Sequence, residues 1–274
     1  MARGTRFSIQ RQSGFGVIAA VCFVLLYAPI ATLIFYSFNA GSSIAIWEGF
    51  SWRWYEAAWN NEQIKEVSLR SLLIAVVAAT VATTAATMAA LATTRTRQFR
   101  GITAIYAAIN APLMVPEIVT AVALLITFAS IKVATGYSGL GYLFAAHSAF
   151  CIPFAYLPVR ARLESMDLTL ERAAADLYAT PWKAFRYVTF PLLWPGIIAG
   201  FMLAFVISLD DVVITEFVKS AGQDTLPTFM LGQLRRVISP EINAISTVFF
   251  LLSVVIVTLF FFLNQKRDKV QQHT

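Results

Sequence analysis

Three carboxylates stand within or at the end of long apolar runs: Glu117 in the run 102–131, and Asp210 and Asp211 near the end of the run 192–213. Ionisable side chains in such places are costly and face a cavity or a partner. Together they offer counter-charge to a cationic solute. At helical rise, Glu117 lies roughly 22 Å from the start of its run and Asp210 roughly 27 Å from Leu192, so both belong to the far half of a hydrocarbon core of about 30 Å. Pro112 and Pro116 would free backbone carbonyls beside Glu117, which is tolerated where helices line a cavity. The competing structural reading puts Asp210 and Asp211 at the water boundary, or pairs them with Arg235 or Arg236. His147 lies inside another apolar run, where a hydrogen bond between helices is favoured over proton relay.

Other chemistry is missing. No glycine is followed by lysine, so there is no G-x-x-x-x-G-K-[ST] phosphate loop. Two distant histidines and two cysteines give no basis for a metal site. Cys22 and Cys151 both fall within apolar runs and read as small core side chains. The chain is therefore expected to be no enzyme and to hold no cofactor or metal; energy must come from a partner or an ion gradient.

The elements that carry these residues are membrane spans. Of 274 residues, 58% are hydrophobic and only 13% charged, and the mean hydropathy is +0.68; a soluble domain carries about a quarter charged residues. Runs long enough to cross a bilayer occupy 14–38, 71–94, 102–131, 141–159, 192–213 and 242–264. The first is too long for a signal-peptide core and is expected to remain as a helix. The net charge of +6 suggests nucleic acid at first sight, but the basic residues lie in short connections and point to membrane orientation.

Arg3, Arg6, Arg11, Arg95, Arg97, Arg100, Arg160, Arg162, Arg172, Lys183, Arg186, Lys266, Arg267 and Lys269 fall on one side. They outnumber the remaining lysines and arginines about two to one. Six spans with both termini in the cytoplasm satisfy that bias. Two long connections, about 39–70 and 213–241, then lie outside. The patch Trp52-Arg53-Trp54-Tyr55 in the first is read as interfacial anchoring. No repeat or linker interrupts the chain, which reads as one transmembrane domain, 1–274.

The connection 160–190 is much longer than a turn needs. Asp167 or Thr169 can cap a first short helix, and Glu171 in its first turn complements the dipole. Leu170, Ala173, Ala174 and Leu177 form an apolar stripe at i, i+3, i+4 and i+7. Thr180-Pro181 opens a second helix with Trp182, Phe185 and Val188 on its apolar side, before Pro191 and Pro195 start the next span. A small-residue face with mixed charge suits docking on a partner better than lying in lipid.

The segment Leu170-Glu171-Arg172-Ala173-Ala174-Ala175-Asp176-Leu177-Tyr178-Ala179-Thr180-Pro181, followed by Val188-Thr189-Phe190-Pro191, resembles the "EAA" loop of ABC-importer permeases. In the register that aligns the alanines, the motif's glutamate falls on Arg172, with Glu171 one position early. Its glycine falls on Tyr178, where a left-handed backbone would strain a side chain. The resemblance extends over nearly the whole chain and is closest to polyamine permeases. It is carried by Phe50-Ser51-Trp52-Arg53-Trp54-Tyr55, by Pro112-Leu113-Met114-Val115-Pro116-Glu117, by Ala146-His147-Ser148, by Ser208-Leu209-Asp210-Asp211-Val212-Val213-Ile214-Thr215, and by Ser239-Pro240-Glu241.

This resemblance implies an all-α type I permease fold of six transmembrane helices with a cytoplasmic coupling-helix loop. Glu171, Arg172, Ala173, Ala174, Asp176, Tyr178, Thr180 and Pro181 would meet the ATPase, and Glu117, Asp210 and Asp211 would line the substrate pathway. The implied partners are two cytoplasmic ATPase subunits that bind ATP and Mg, a second permease, expected to be a paralogue, a periplasmic or surface solute-binding protein, and membrane lipid; nucleic acid is not among them. The implied location is the bacterial inner membrane, and the implied cargo is putrescine, spermidine or another small organic solute such as an opine or phosphonate. A secondary transporter with Glu117 as ion carrier would show repeat symmetry, which is not seen, and would leave the loop 160–190 without a use. A membrane-embedded enzyme would need a nucleophile or metal constellation.

Overall fold

A computed structural model describes residues 15–43, 46–96, 100–235 and 240–271, with side chains of the last helix described as far as 258. The described chain is helical, apart from turns and an isolated bridge between Asn39 and Phe50. Among the described residues, six helical stretches are long and apolar enough to cross a membrane. The helices are α1 (Phe15–Tyr36), α2 (Arg53–Asn60), α3 (Glu62–Thr94), α4 (Ile102–Met114), α5 (Glu117–Thr135), α6 (Gly141–Ser165), α7 (Leu168–Asp176), α8 (Pro181–Ala184), α9 (Phe190–Asp210), α10 (Val213–Val218), α11 (Leu226–Leu234) and α12 (Pro240–Gln271). Arg3, Arg6, Arg11, Arg97 and Arg236 lie outside the described residues.

By their contacts the described residues fall into two compact units, one within 1–61 and 235–251 and one within 62–234 and 252–274. In the first, α1 exposes its apolar surface along its length, as a lipid-facing helix does, and Cys22 is exposed with it rather than in a core. The loop that follows turns on Asn39, which is fully buried. Its amide donates to the carbonyls of Ser43 (2.8 Å) and Ile46 (2.7 Å), and its oxygen accepts from the backbone N–H groups of Gly41 (3.3 Å) and Glu48 (2.9 Å). All four of its hydrogen-bonding positions are thereby filled. Trp52 and Tyr55 pack with Phe38 and Phe50 as a ring cluster, and Trp52 stays 59% exposed, as an interfacial anchor would.

In the second unit, α3, α6 and α9 pack on one another through small side chains. On α3, Ala75, Ala78, Ala79, Ala82, Ala86 and Ala90 are fully buried at helical spacing. On α9, Gly196, Gly200, Ala204 and Ser208 make a low ridge against α6. A Cβ on Gly200 would sit 2.7 Å from the carbonyl oxygen of Ala155, and one on Gly196 would sit 2.6 Å from Arg162 Cβ. Backbones that approach this closely are how helices gain van der Waals contact where lipid offers no hydrophobic drive. The Gly196-x-x-x-Gly200 spacing is visible in the sequence, although composition and span length do not single it out.

Three boundaries differ from the sequence expectation. Helix α3 starts at Glu62 rather than near 71, and its first turns carry Lys65–Glu62 and Arg70–Glu66 ion pairs beyond the apolar stretch. The expected third span is two helices, broken at Val115 and Pro116, whose ψ angles of 134° and 132° are extended. Proline disfavours helical geometry in the residue before it, and Pro116 acts on Val115 in that way. The second loop helix does not stop before the fifth span. It passes through a π-helical turn, Phe185–Thr189, straight into α9. Pro191 has no N–H and would crowd the carbonyl four residues back, and the wider π turn just ahead of it absorbs that conflict.

Candidate functional site

Helix α9 ends at Asp210, and the chain turns extended at Asp211 before α10 begins. Asp211 is buried, and its carboxylate reaches the first amides of α10 from one residue before the Val212 cap position. Its Oδ1 accepts from the Ile214 N–H (3.2 Å), and its Oδ2 accepts from the Thr215 N–H (2.9 Å) and the Thr215 hydroxyl (2.8 Å). A carboxylate at a helix N-terminus fills orphan amides and complements the dipole. Asp210, its neighbour, is exposed.

Glu117 is the first residue of α5, just past the other break, and is half-buried. Its carboxyl reaches that of Asp211, where α5 packs on α10. A ruler laid along one straight helix does not give the level of Glu117, because the helix is broken; the contact with Asp211 sets it instead. Two helix breaks thus bring Glu117 and Asp211 together, and Asp210 precedes Asp211 at the end of α9. Asp211 is engaged by two backbone amides and the Thr215 hydroxyl.

His147 stands behind this group, 1% exposed. Its Nδ1 is 2.8 Å from Ser208 Oγ on α9, and its Nε2 is 3.0 Å from Thr215 Oγ1 on α10 and 3.5 Å from Asp211 Oδ2. The expected interhelical hydrogen bond is present, twice over. Ser208 and Thr215 carry no distinguishing signal in the sequence beyond being hydroxyls near the end of an apolar run. Cys151, one turn further along α6, points its Sγ at the Ala204 carbonyl (3.5 Å).

At the other end of the bundle, the loop forms as its caps dictate. Asp167 accepts from the Thr169 N–H (2.9 Å) and starts α7; Thr180 accepts from the Lys183 N–H (3.4 Å) with Pro181 at the first helical position of α8. The Thr169 amide holds the Asp167 carboxyl below the usual carboxylate range, with help from the Thr169 side chain and the Arg172 charge. Glu171 faces inward: its Oε1 accepts from Arg95 Nε (3.1 Å) and from the Thr189 hydroxyl (3.0 Å). Arg95 Nη2 also donates to the Leu163 carbonyl (3.0 Å), so one guanidinium gathers the ends of α3 and α6 and the loop.

Arg172, Ala173, Asp176, Thr180 and Pro181 are exposed, and Ala174 is half-buried. The stripe Leu170, Ala173, Leu177 faces out of the chain, with Leu177 at 82% exposure. Tyr178 has φ +58° and is 96% exposed. Around it, the Tyr178 N–H donates to Ala175 O (2.9 Å) and the Ala179 N–H to Ala174 O (3.0 Å). That is the bond pair of a Schellman ending, with tyrosine in the left-handed position that glycine usually fills.

Comparison with known proteins gives concordant results. Residues 82–269 match the family described as "Binding-protein-dependent transport system inner membrane component". The chain is 36% identical over 234 residues to the putrescine transport system permease protein PotI of Escherichia coli (strain K12), covering 84% of this chain and 83% of that protein. It is 35% identical over 248 residues to the spermidine/putrescine transport system permease protein PotC of Haemophilus influenzae, covering 90% and 95%. Among solved structures, a bacterial ABC transporter involved in the import of the acidic polysaccharide alginate superposes with a TM-score of 0.71 at 14% identity, over 93% of this chain and 94% of that one. At that identity the likeness is one of fold.

Proposed function

Because the chain belongs to the binding-protein-dependent transport system inner membrane component family, we propose that it is the subunit through which putrescine or spermidine crosses the inner membrane. The observation that carries the cargo is the meeting of Glu117 and Asp211 at two helix breaks, with Asp210, the exposed chain neighbour of Asp211, offering a further carboxyl. A di- or polyammonium ion gains charge-assisted hydrogen bonds there, whereas a phosphonate would meet like charge. Asp211 supports the site from behind, and Glu117 and Asp210 present the accessible carboxyls.

The basic connections support an orientation with both termini and the loop 160–190 in the cytoplasm. There the outward stripe of α7 and the exposed Trp182 suit the groove of an ATPase. Two ATPase subunits, a paralogous second permease and an external solute-binding protein complete the importer. The ATP-bound state acts by binding one conformation of the permease better than the other.

The test is uptake of labelled putrescine and spermidine into vesicles holding the assembled transporter. Losing one charge-assisted bond of about 1.5–3 kcal/mol predicts that Glu117→Gln raises KM roughly ten- to a hundredfold, and Asp210→Asn raises it less. Unchanged uptake by Glu117→Gln, with normal assembly, removes the acidic site from the pathway.

A further inference from the structure

We propose that His147 is a positioning residue for cargo recognition: it bridges the break between α9 and α10 and so sets where the Asp211 carboxylate meets Glu117. The inference rests on the acidic site being the cation pathway.

At the break, Asp210 ends one helix and Val213 starts the next. The direction of α10 relative to α9 must therefore come from side chains. Ser208 lies in the last turn of α9, and Thr215 in the first turn of α10. His147, reaching in from α6, holds one with each ring nitrogen, at 2.8 and 3.0 Å. One imidazole thus spans the break.

Donor accounting orients the chain. The Thr215 hydroxyl donates to Asp211 Oδ2, so its oxygen accepts from His147 Nε2–H. His147 Nδ1 then accepts from the Ser208 hydroxyl. The series Ser208, His147, Thr215, Asp211 runs in one direction, and each hydroxyl hydrogen is used once. All four residues are buried, so a missing member leaves an unsatisfied group. The far end of the series is the carboxylate that Glu117 reaches across the α5–α10 contact. Leucine or phenylalanine at 147 could fill the space but could not tie α9 to α10.

The experiment is a mutant cycle read by the KM and Vmax of putrescine and spermidine uptake in the assembled transporter. Thr215→Val removes the link with little change of shape; His147→Gln removes the bridge itself. We expect either to raise the putrescine KM about tenfold, to lower Vmax by a smaller factor, and to change the ratio of the putrescine and spermidine KM values. Added to Glu117→Gln, Thr215→Val should raise KM little further, because both act on one site. If Thr215→Val leaves KM within twofold of the parent while Glu117→Gln raises it, His147 holds the bundle together without positioning cargo. The same conclusion follows if the two fold-changes multiply. If Glu117→Gln is itself silent, the acidic pathway falls, and this inference falls with it. Should His147→Gln fail to assemble, Thr215→Val decides.

Discussion

Arg95, immediately after α3, donates from Nε to Glu171 Oε1 in α7 at 3.1 Å, and both side chains are largely shielded from water. The pair ties the end of a long bundle helix to the loop proposed to meet the ATPase. Movement of α7 under an ATPase would thus pull on α3 through a charged hydrogen bond as well as through the chain.

Removing Glu171 should loosen this joint. Glu171→Ala takes the acceptor from both Arg95 and Thr189, at a cost of about 1–3 kcal/mol for groups left unpaired. Hydrogen exchange is expected to rise in 168–189 while the bundle core stays protected, with uptake falling. Arg95→Lys keeps the charge but cannot reach both Glu171 and the Leu163 carbonyl in the same way, so it should restore only part of the protection.

Tyr178→Gly should stabilise the loop. A side chain in the left-handed region costs roughly 1–2 kcal/mol, and glycine returns part of that gain through the flexibility it adds to the unfolded chain. A net gain of about 1 kcal/mol is expected in thermal unfolding of the purified protein. Tyr178→Val, branched at Cβ, should shift the transition the other way. Lower transport by Tyr178→Gly despite higher stability would mark the exposed ring as a partner contact.

Neither close glycine of α9 should tolerate a methyl group. Gly200→Ala drives a methyl into the Ala155 carbonyl, which belongs to backbone and cannot step aside; overpacking of that kind costs about 1–3 kcal/mol. Gly196→Ala meets Arg162 Cβ, an atom whose position the α6 backbone fixes. Folded yield and thermal stability should fall for either substitution.

The cap of α7 should be pH-dependent in a set direction. Asp167 has its carboxyl held below the usual range in the folded protein, so its contribution is complete above the unfolded value of about 3.9 and is lost as pH falls through the lower folded value. A carboxyl titration by NMR should show the depressed midpoint. Asp167→Asn should keep α7 capped with no titration, and Asp167→Ala should lose the cap at every pH.

Much of the loop was legible in advance because caps act over a few residues. Asp167, Thr180-Pro181 and the apolar stripe depend on neighbours three or four positions away, whereas the positive φ at Tyr178 is decided by the structure. Prolines were harder to read. Pro112, Pro153 and Pro158 lie inside helices, whereas Pro116 ends one. Sequence marks each as a possible break, and only the surrounding helices decide which carbonyls are otherwise satisfied. Glu171, expected to meet the ATPase, is hydrogen-bonded to Arg95 and Thr189 within the chain. Its partner Arg95 lies just past α3, far away in the chain, where no spacing rule connects them.

Hydropathy, charge bias and capping are sums over short stretches of chain, and the sequence alone therefore determined the membrane crossings, the long loop with two helices, and the acidic residues at odds with lipid. The tertiary structure decided that α4 and α5 are separate, that α8 runs into α9, and that His147, Asp211 and Glu117 form one group. These outcomes depend on contacts between α5, α6, α9 and α10, where each buried donor must find an acceptor. No local sum contains that condition.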